Sequence, residues 1–153
     1  MADWMSLLPF LGIVFTAALS GALFMPGPWY ETLDKPSWTP PNWLFAPAWL
    51  VLYVMIAIAG WLVWRDAGYG PALAWWGANI VFNAAWSWLM FGRKRIDLAL
   101  VDAIAMLVTI IGFIATALPV NETAALLFLP YLAWVSFAAA LNAAILKRNP
   151  RAA

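Results

Sequence analysis

The sequence contains no cysteine and no histidine. Without cysteine there is no disulfide framework, no thiolate metal site and no thiol nucleophile. Without histidine the commonest general base, the commonest metal ligand and the usual proximal haem ligand are missing too. Charge is scarce as well: 10% of the 153 residues are charged, against about a quarter in an ordinary soluble domain. So few charges cannot cover a water-facing surface of this size. The net charge of +1 provides no basic stripe for nucleic acid, and no nucleic-acid partner is expected. Nothing resembles an acid–base or nucleophile constellation, so no catalytic residue, no metal site and no required cofactor is expected.

What is present is apolar. Hydrophobic residues make up 66% of the chain, and the mean hydropathy is +0.85. Polar residues gather in short seams that leave apolar runs at about 6–25, 43–64, 71–91, 98–118 and 123–146. Each run is near the roughly 20 residues that cross a bilayer as a helix. The runs show no two-residue alternation and are too long for barrel strands. Lipid-exposed backbone must satisfy its own hydrogen bonds, so helices follow. The expected fold is all-α: a polytopic bundle of five transmembrane helices forming a single domain over 1–153. The first run is preceded by Asp3 instead of a basic residue, and reads as a retained helix, not a cleaved signal.

Five spans place the first connection, the third connection and the C-terminus on one side. That side carries Lys35, Arg93, Lys94, Arg95, Lys147, Arg148 and Arg151, while the other side has only Arg65. Positive charge marks the cytoplasmic face, so the N-terminus is expected outside and the C-terminus in the cytoplasm. Helical spans favour a bacterial inner membrane. The connections at 65–70, 92–97 and 119–122 are tight turns. The first, 26–42, holds Pro26, Pro28, Pro36, Pro40 and Pro41, and reads as a stiff, extended lid. Asn42 is placed to cap the second helix, and Pro47 and Pro130 to bend or open the helices they occupy.

Twelve tryptophans exceed what interfacial belts need. Trp4, Trp61, Trp64, Trp75 and Trp76 lie near the outer helix ends and fit a belt. Trp49, Trp86 and Trp134 lie inside helices, and face either lipid or a shared interior cavity. Asn79, Asn83 and Trp86 share one face of the third helix at i, i+4 and i+7. Two amides on that face act either as interhelical glue or as orienting groups in an apolar pocket. Asp102, one turn into the fourth helix, is expected to form an ion pair with Arg93–Arg95. Small residues at Ala74 with Ala78, and Ala17 with Gly21, allow close helix contact within the monomer or across a dimer.

The first connection and second helix read Trp29-Tyr30-x-x-Leu33-x-Lys35-Pro36-x-Trp38-x-Pro40-Pro41-x-Trp43, followed by Phe45 and Trp49. The third helix carries Asn79-x-x-x-Asn83-x-x-Trp86, and the fifth carries Pro130-Tyr131-x-x-Trp134 with Leu141-Asn142. In these motifs, and over essentially its whole length, the chain resembles the translocator protein family (TspO/MBR, the tryptophan-rich sensory proteins, related to the peripheral-type benzodiazepine receptor), as a bacterial member. Some bacterial relatives are described in the outer membrane. The resemblance implies a homodimeric five-helix bundle whose cytoplasmic loop covers a ligand pocket. Its ligands would be porphyrins, namely protoporphyrin, haem and related tetrapyrroles, together with sterol-like molecules, membrane lipids and isoquinoline- or benzodiazepine-type drugs. Matched position by position, the pocket takes Tyr30, Trp38 and Pro40 from the loop. From the helices it takes Phe45, Trp49, Tyr53, Asn79, Asn83, Trp86, Trp134 and Ala138.

The resemblance leaves open an enzyme-like alternative, light- or oxygen-dependent porphyrin breakdown, for which Trp49 and Trp134 are the matching residues. Sterol or lipid transport is another. Ion-coupled transport is disfavoured, because Asp102 is the only carboxylate within a span. Two departures from the family pattern are visible. The tyrosine that the animal proteins' cholesterol motif places before a basic residue is missing, since Leu141-Asn142-Ala143-Ala144 precedes Lys147. Asp3 and Trp4 stand where a basic contact to a ligand carboxylate would come from the N-terminal end.

Overall fold

The computed structural model describes residues 3–150, and every regular element among them is helical. Arg151 and the Asp3 side chain, both used in the sequence reading, lie outside the described part. A 3-10 turn, Asp3–Leu7, leads into α1 (Leu8–Leu23). The first connection contains the short helix α2 (Pro28–Glu31). Then come α3 (Asn42–Ala67), α4 (Pro71–Ser87), α5 (Ile96–Ala117), α6 (Glu122–Leu127) and α7 (Leu129–Arg148).

Four helical stretches, Trp4–Leu23, Asn42–Ala67, Ile96–Ala117 and Glu122–Arg148, are long and apolar enough to cross a membrane. The segment expected as the third span is shorter, with 17 residues of α-helix continued by a π turn, Trp88–Gly92. The membrane reading rests on sidedness. On α5 one face buries Ala99, Ala103, Met106, Ile110 and Phe113, while Val101, Ile104, Val108 and Ile111 on the opposite face are more than half exposed. A helix apolar on both faces in this way is solvated by lipid, not water.

Glycines set the closest helix contacts. The Trp76 indole lies against Gly60 of α3, where any Cβ would overlap it, and Trp75 lies in the same way over Gly112 of α5. Trp76 is 4% exposed and donates its Nε1–H to the carbonyl of Ile56 at 2.9 Å. It is therefore a core residue and not part of a belt: the missing Cβ at Gly60 creates a slot that an indole fills. Trp61 donates to Ser6 Oγ at 2.7 Å, and Trp4 is largely exposed. Ala17 is buried, and a Cβ added at Gly21 would stand 3.8 Å from Ser87 Oγ, at the contact between α1 and the end of α4. Ala74 is exposed and Ala78 half-buried.

Proline and asparagine act locally, though not always where expected. Pro130 has no N–H to donate back to Leu126, and the helix breaks at Phe128, dividing α6 from α7. Phe128 turns inward and stacks on Phe113 with ring centroids 4.1 Å apart. By contrast α3 runs through Pro47 without interruption. Asn42 does not cap α3. Pro41 holds the cap position, and the Asn42 amide donates instead to Glu31 Oε1 at 3.0 Å, tying α2 to the start of α3. Asn121 is a true cap: its Oδ1 accepts from the Ala124 N–H, and its Nδ2 donates to Asp66 at 2.7 Å.

Candidate functional site

The residues singled out from the sequence fall into two adjoining groups. In the first, α3 and α7 bring Trp49, Tyr53 and Trp134 together. Trp49 stacks on Tyr53 at 5.4 Å, one turn away on α3. It meets Tyr131 edge-on at 6.2 Å and Trp134 at 6.3 Å, with the two indoles nearly perpendicular. Phe45 packs against Trp134 at 5.8 Å, Phe137 lies 6.0 Å beyond, and Trp38 of the first connection touches Phe137 at 5.6 Å. Offset and edge-on pairs of this kind stabilise one another beyond their apolar area. The Trp134 Nε1–H is buried and meets no acceptor among the described residues.

Beneath this sheaf runs a polar chain. Asn83 donates to the Tyr131 hydroxyl at 2.8 Å, Tyr131 donates to Asn79 Oδ1 at 3.0 Å, and Asn79 Nδ2 donates to Thr109 Oγ1 at 3.0 Å. The Thr109 hydroxyl is already committed to the carbonyls of Ala105 and Met106. It can only accept from Asn79, so the whole chain has one sense. The two amides therefore join α4 to α5 and α7, as the glue reading holds, with the fully buried Tyr131 as the hub.

Trp86 belongs to the second group. Its ring packs on Phe91 at 5.6 Å, and its Nε1–H donates to Asn142 Oδ1 at 3.1 Å. Asn142 in turn donates to the carbonyl of Ile96. Tyr30, from α2, also meets Phe91, edge-on at 5.5 Å, and Lys35 Nζ sits 4.5 Å over the Tyr30 ring. Burial, followed by the charge of Glu31, raises the Tyr30 hydroxyl pKa, which keeps it neutral. Pro40 and Ala138 are half-buried.

Sequence reasoning placed Tyr131 and Asn142 in the motifs but not among the site residues, and it missed Phe91, Thr109 and Phe137. Phe137 and Tyr131 stand at +3 and −3 from Trp134, a spacing that puts them on one face. The ion pair expected for Asp102 does not form. Arg95 grips Asp97 with two bonds, at 3.0 and 2.8 Å, which raises the guanidinium pKa further. Asp102 is 6% exposed, and its Oδ2 has no hydrogen-bond partner among the described residues. At the other end of the molecule a crevice of about 390 Å³ opens between Val63, Pro71, Leu73, Thr116 and Val120, away from every residue predicted for the site.

Residues 6–148 match the model of the TspO/MBR family. The chain belongs to the TspO/MBR family. Among its relatives are the tryptophan-rich sensory protein of Cereibacter sphaeroides, 36% identical over 96% of this chain and 93% of that one, and the protein CrtK of Rhodobacter capsulatus, 34% identical over 88% and 86%. The translocator protein of Sus scrofa is 33% identical over 93% and 90%. Membership makes this TspO/MBR protein an integral, multi-pass membrane protein of the sensor and translocator kind. In this TspO/MBR chain Asn142 accepts from Trp86 and donates to the Ile96 carbonyl.

Proposed function

We propose that this protein binds porphyrins and similar planar hydrophobic ligands among the rings of Trp49, Tyr53 and Trp134, beneath the first connection. Phe45, Trp38 and Pro40 would line the upper wall, Asn79, Asn83 and Ala138 the floor and flank, and Tyr30 and Trp86 the neighbouring lobe. The observation that carries this reading is the convergence of aromatic rings from the loop, α3 and α7 around an indole N–H that meets no acceptor among the described residues. Flat aromatic walls stack on a flat guest, and a buried unanswered donor favours a ligand that supplies an oxygen or nitrogen acceptor. With no histidine or cysteine in the chain, recognition is of the macrocycle and not of iron.

The same reading counts α4 with its π turn as a fifth span in a single bundle. It puts the N-terminus outside and the basic C-terminal end in the cytoplasm, in the inner membrane of a bacterium, with a second copy as partner. Tryptophan-fluorescence titration with protoporphyrin tests the ligand. Metal-free protoporphyrin and haem are expected to bind comparably, and Trp49→Phe, Trp134→Phe and Asn83→Ala each to weaken binding. Much tighter haem binding with a low-spin spectrum would overturn the reading.

A further inference from the structure

The first connection reaches across the chain at one polar point. The Asp34 N–H donates to Asn149 Oδ1 at 3.0 Å, and Asn149 Nδ2 donates to the Asp34 carbonyl at 2.7 Å. A single side-chain amide thus binds both backbone groups of one loop residue 115 positions away. The amide is itself held on the helix side. Asn149 is the C-cap of α7, and its Nδ2 also donates to the Ile145 carbonyl at 2.8 Å, beside the Asn149 backbone N–H that the same carbonyl accepts at 3.0 Å.

Other polar groups of the connection bond within it or at its edges. Lys35 Nζ returns to the carbonyls of Tyr30 and Leu33, Thr39 to Pro36, and Asn42 to Glu31. The stretch before the clasp is also anchored by burial, with Tyr30 and Leu33 packed near Met90, Ile96 and Ile145. The stretch after it, which carries Trp38 and Pro40, is more exposed, and Trp38 is 48% accessible. The clasp therefore sits between the buried Tyr30–Leu33 stretch and one that, past the buried Pro36, rests on the Trp38–Phe137 contact. Arg148 approaches the Asp34 carboxylate at 3.7 Å, but both side chains are open to solvent, and such a pair adds little.

We propose that Asn149 is the positioning residue that keeps the first connection closed over the Trp49–Trp134 rings, acting through the backbone of Asp34, and that ligand passes only when this clasp opens. The ligand part of the proposal rests on the porphyrin reading above, and the loop part does not. A clasp of this kind gates rates more than affinity. If admission and release both need the open loop, a larger open fraction speeds both and leaves their ratio nearly unchanged.

The test uses the full chain in lipid nanodiscs. Because the protein is cysteine-free, Ser37→Cys and Lys147→Cys, both at exposed positions, give a clean nitroxide pair. The parent and Asp34→Ala, which keeps the backbone clasp and removes only the ion pair, are expected to show one narrow distance population. Asn149→Ala adds a longer one, with the open fraction raised about tenfold, as the loss of two net hydrogen bonds implies. Stopped-flow quenching by protoporphyrin IX is expected to show association and dissociation each about tenfold faster in Asn149→Ala, with Kd within about twofold. Should Asn149→Ala fail to accumulate, Asn149→Asp serves: it keeps the acceptor for the Asp34 N–H, sets a carboxylate oxygen against the two carbonyls that Nδ2 bonded, and should shift distances and rates in the same direction. Unchanged distances and rates in Asn149→Ala, or the same acceleration in Asp34→Ala, would overturn the proposal. A loop that opens in Asn149→Ala while even the parent binds no protoporphyrin supports the clasp and sinks the ligand reading.

Discussion

Tyr131 shows what a single hydroxyl does in this bundle. It accepts from one amide and donates to another, and it is fully buried. Tyr131→Phe is expected to cost about 1–2 kcal/mol of unfolding free energy. A double-mutant cycle with Asn83→Ala in mixed detergent should show the two losses to be strongly non-additive. Asp102 makes the opposite prediction. Its Oδ2 is buried without a partner among the described residues, so Asp102→Asn should leave stability unchanged or raise it. A clear loss in thermal unfolding would mean that the carboxylate has a partner after all. The pairing of Asn79 with Asn83 on one face could be read from their spacing. That Asp102 stands unpaired could not, because Arg95 had a nearer carboxylate in Asp97, and only geometry decides between two acceptors.

Among the elements, the boundaries were largely legible: apolar runs and proline-marked seams lie close to the observed helices. What escaped was the interior of the runs. Pro130 was expected to open the last run and does, dividing it into α6 and α7, but that Phe128 would be drawn into a stack with Phe113 had no local signal. The third ends in a π turn that no composition signal marks. Trp76 looked like a belt residue because nothing local to it announces Gly60, which lies 16 positions earlier and provides its slot. Asn121 joins two elements, capping α6 and binding Asp66 at the end of α3. Asn121→Ala should therefore cost about 1 kcal/mol. Amide exchange should rise first at Ala124 and Ala125, before any change in the core of α5.

At the scale of the molecule, the decisive question is whether α4 crosses the bilayer. Single cysteines answer it without background labelling. If α4 spans, Tyr69→Cys in intact cells is expected to react with an impermeant maleimide, and Arg93→Cys only after lysis. Reaction of both in intact cells, or of neither, would return α4 to a single side. The aromatic site was legible to the extent that its rings share helix faces. The meeting of α3 with α7 was not, since it depends on tertiary packing that no spacing within one helix encodes.

The amides of α4 bear on how the chain is made. α5 is the most apolar of the four long helical stretches. α4 is shorter and carries Asn79 and Asn83, whose partners are Thr109 on α5 and Tyr131 on α7. During synthesis those partners emerge later than α4 itself. If α4 is the fifth span, its amides are answered only once α5 and then α7 have been made, so its final seating comes with the last helix of the chain.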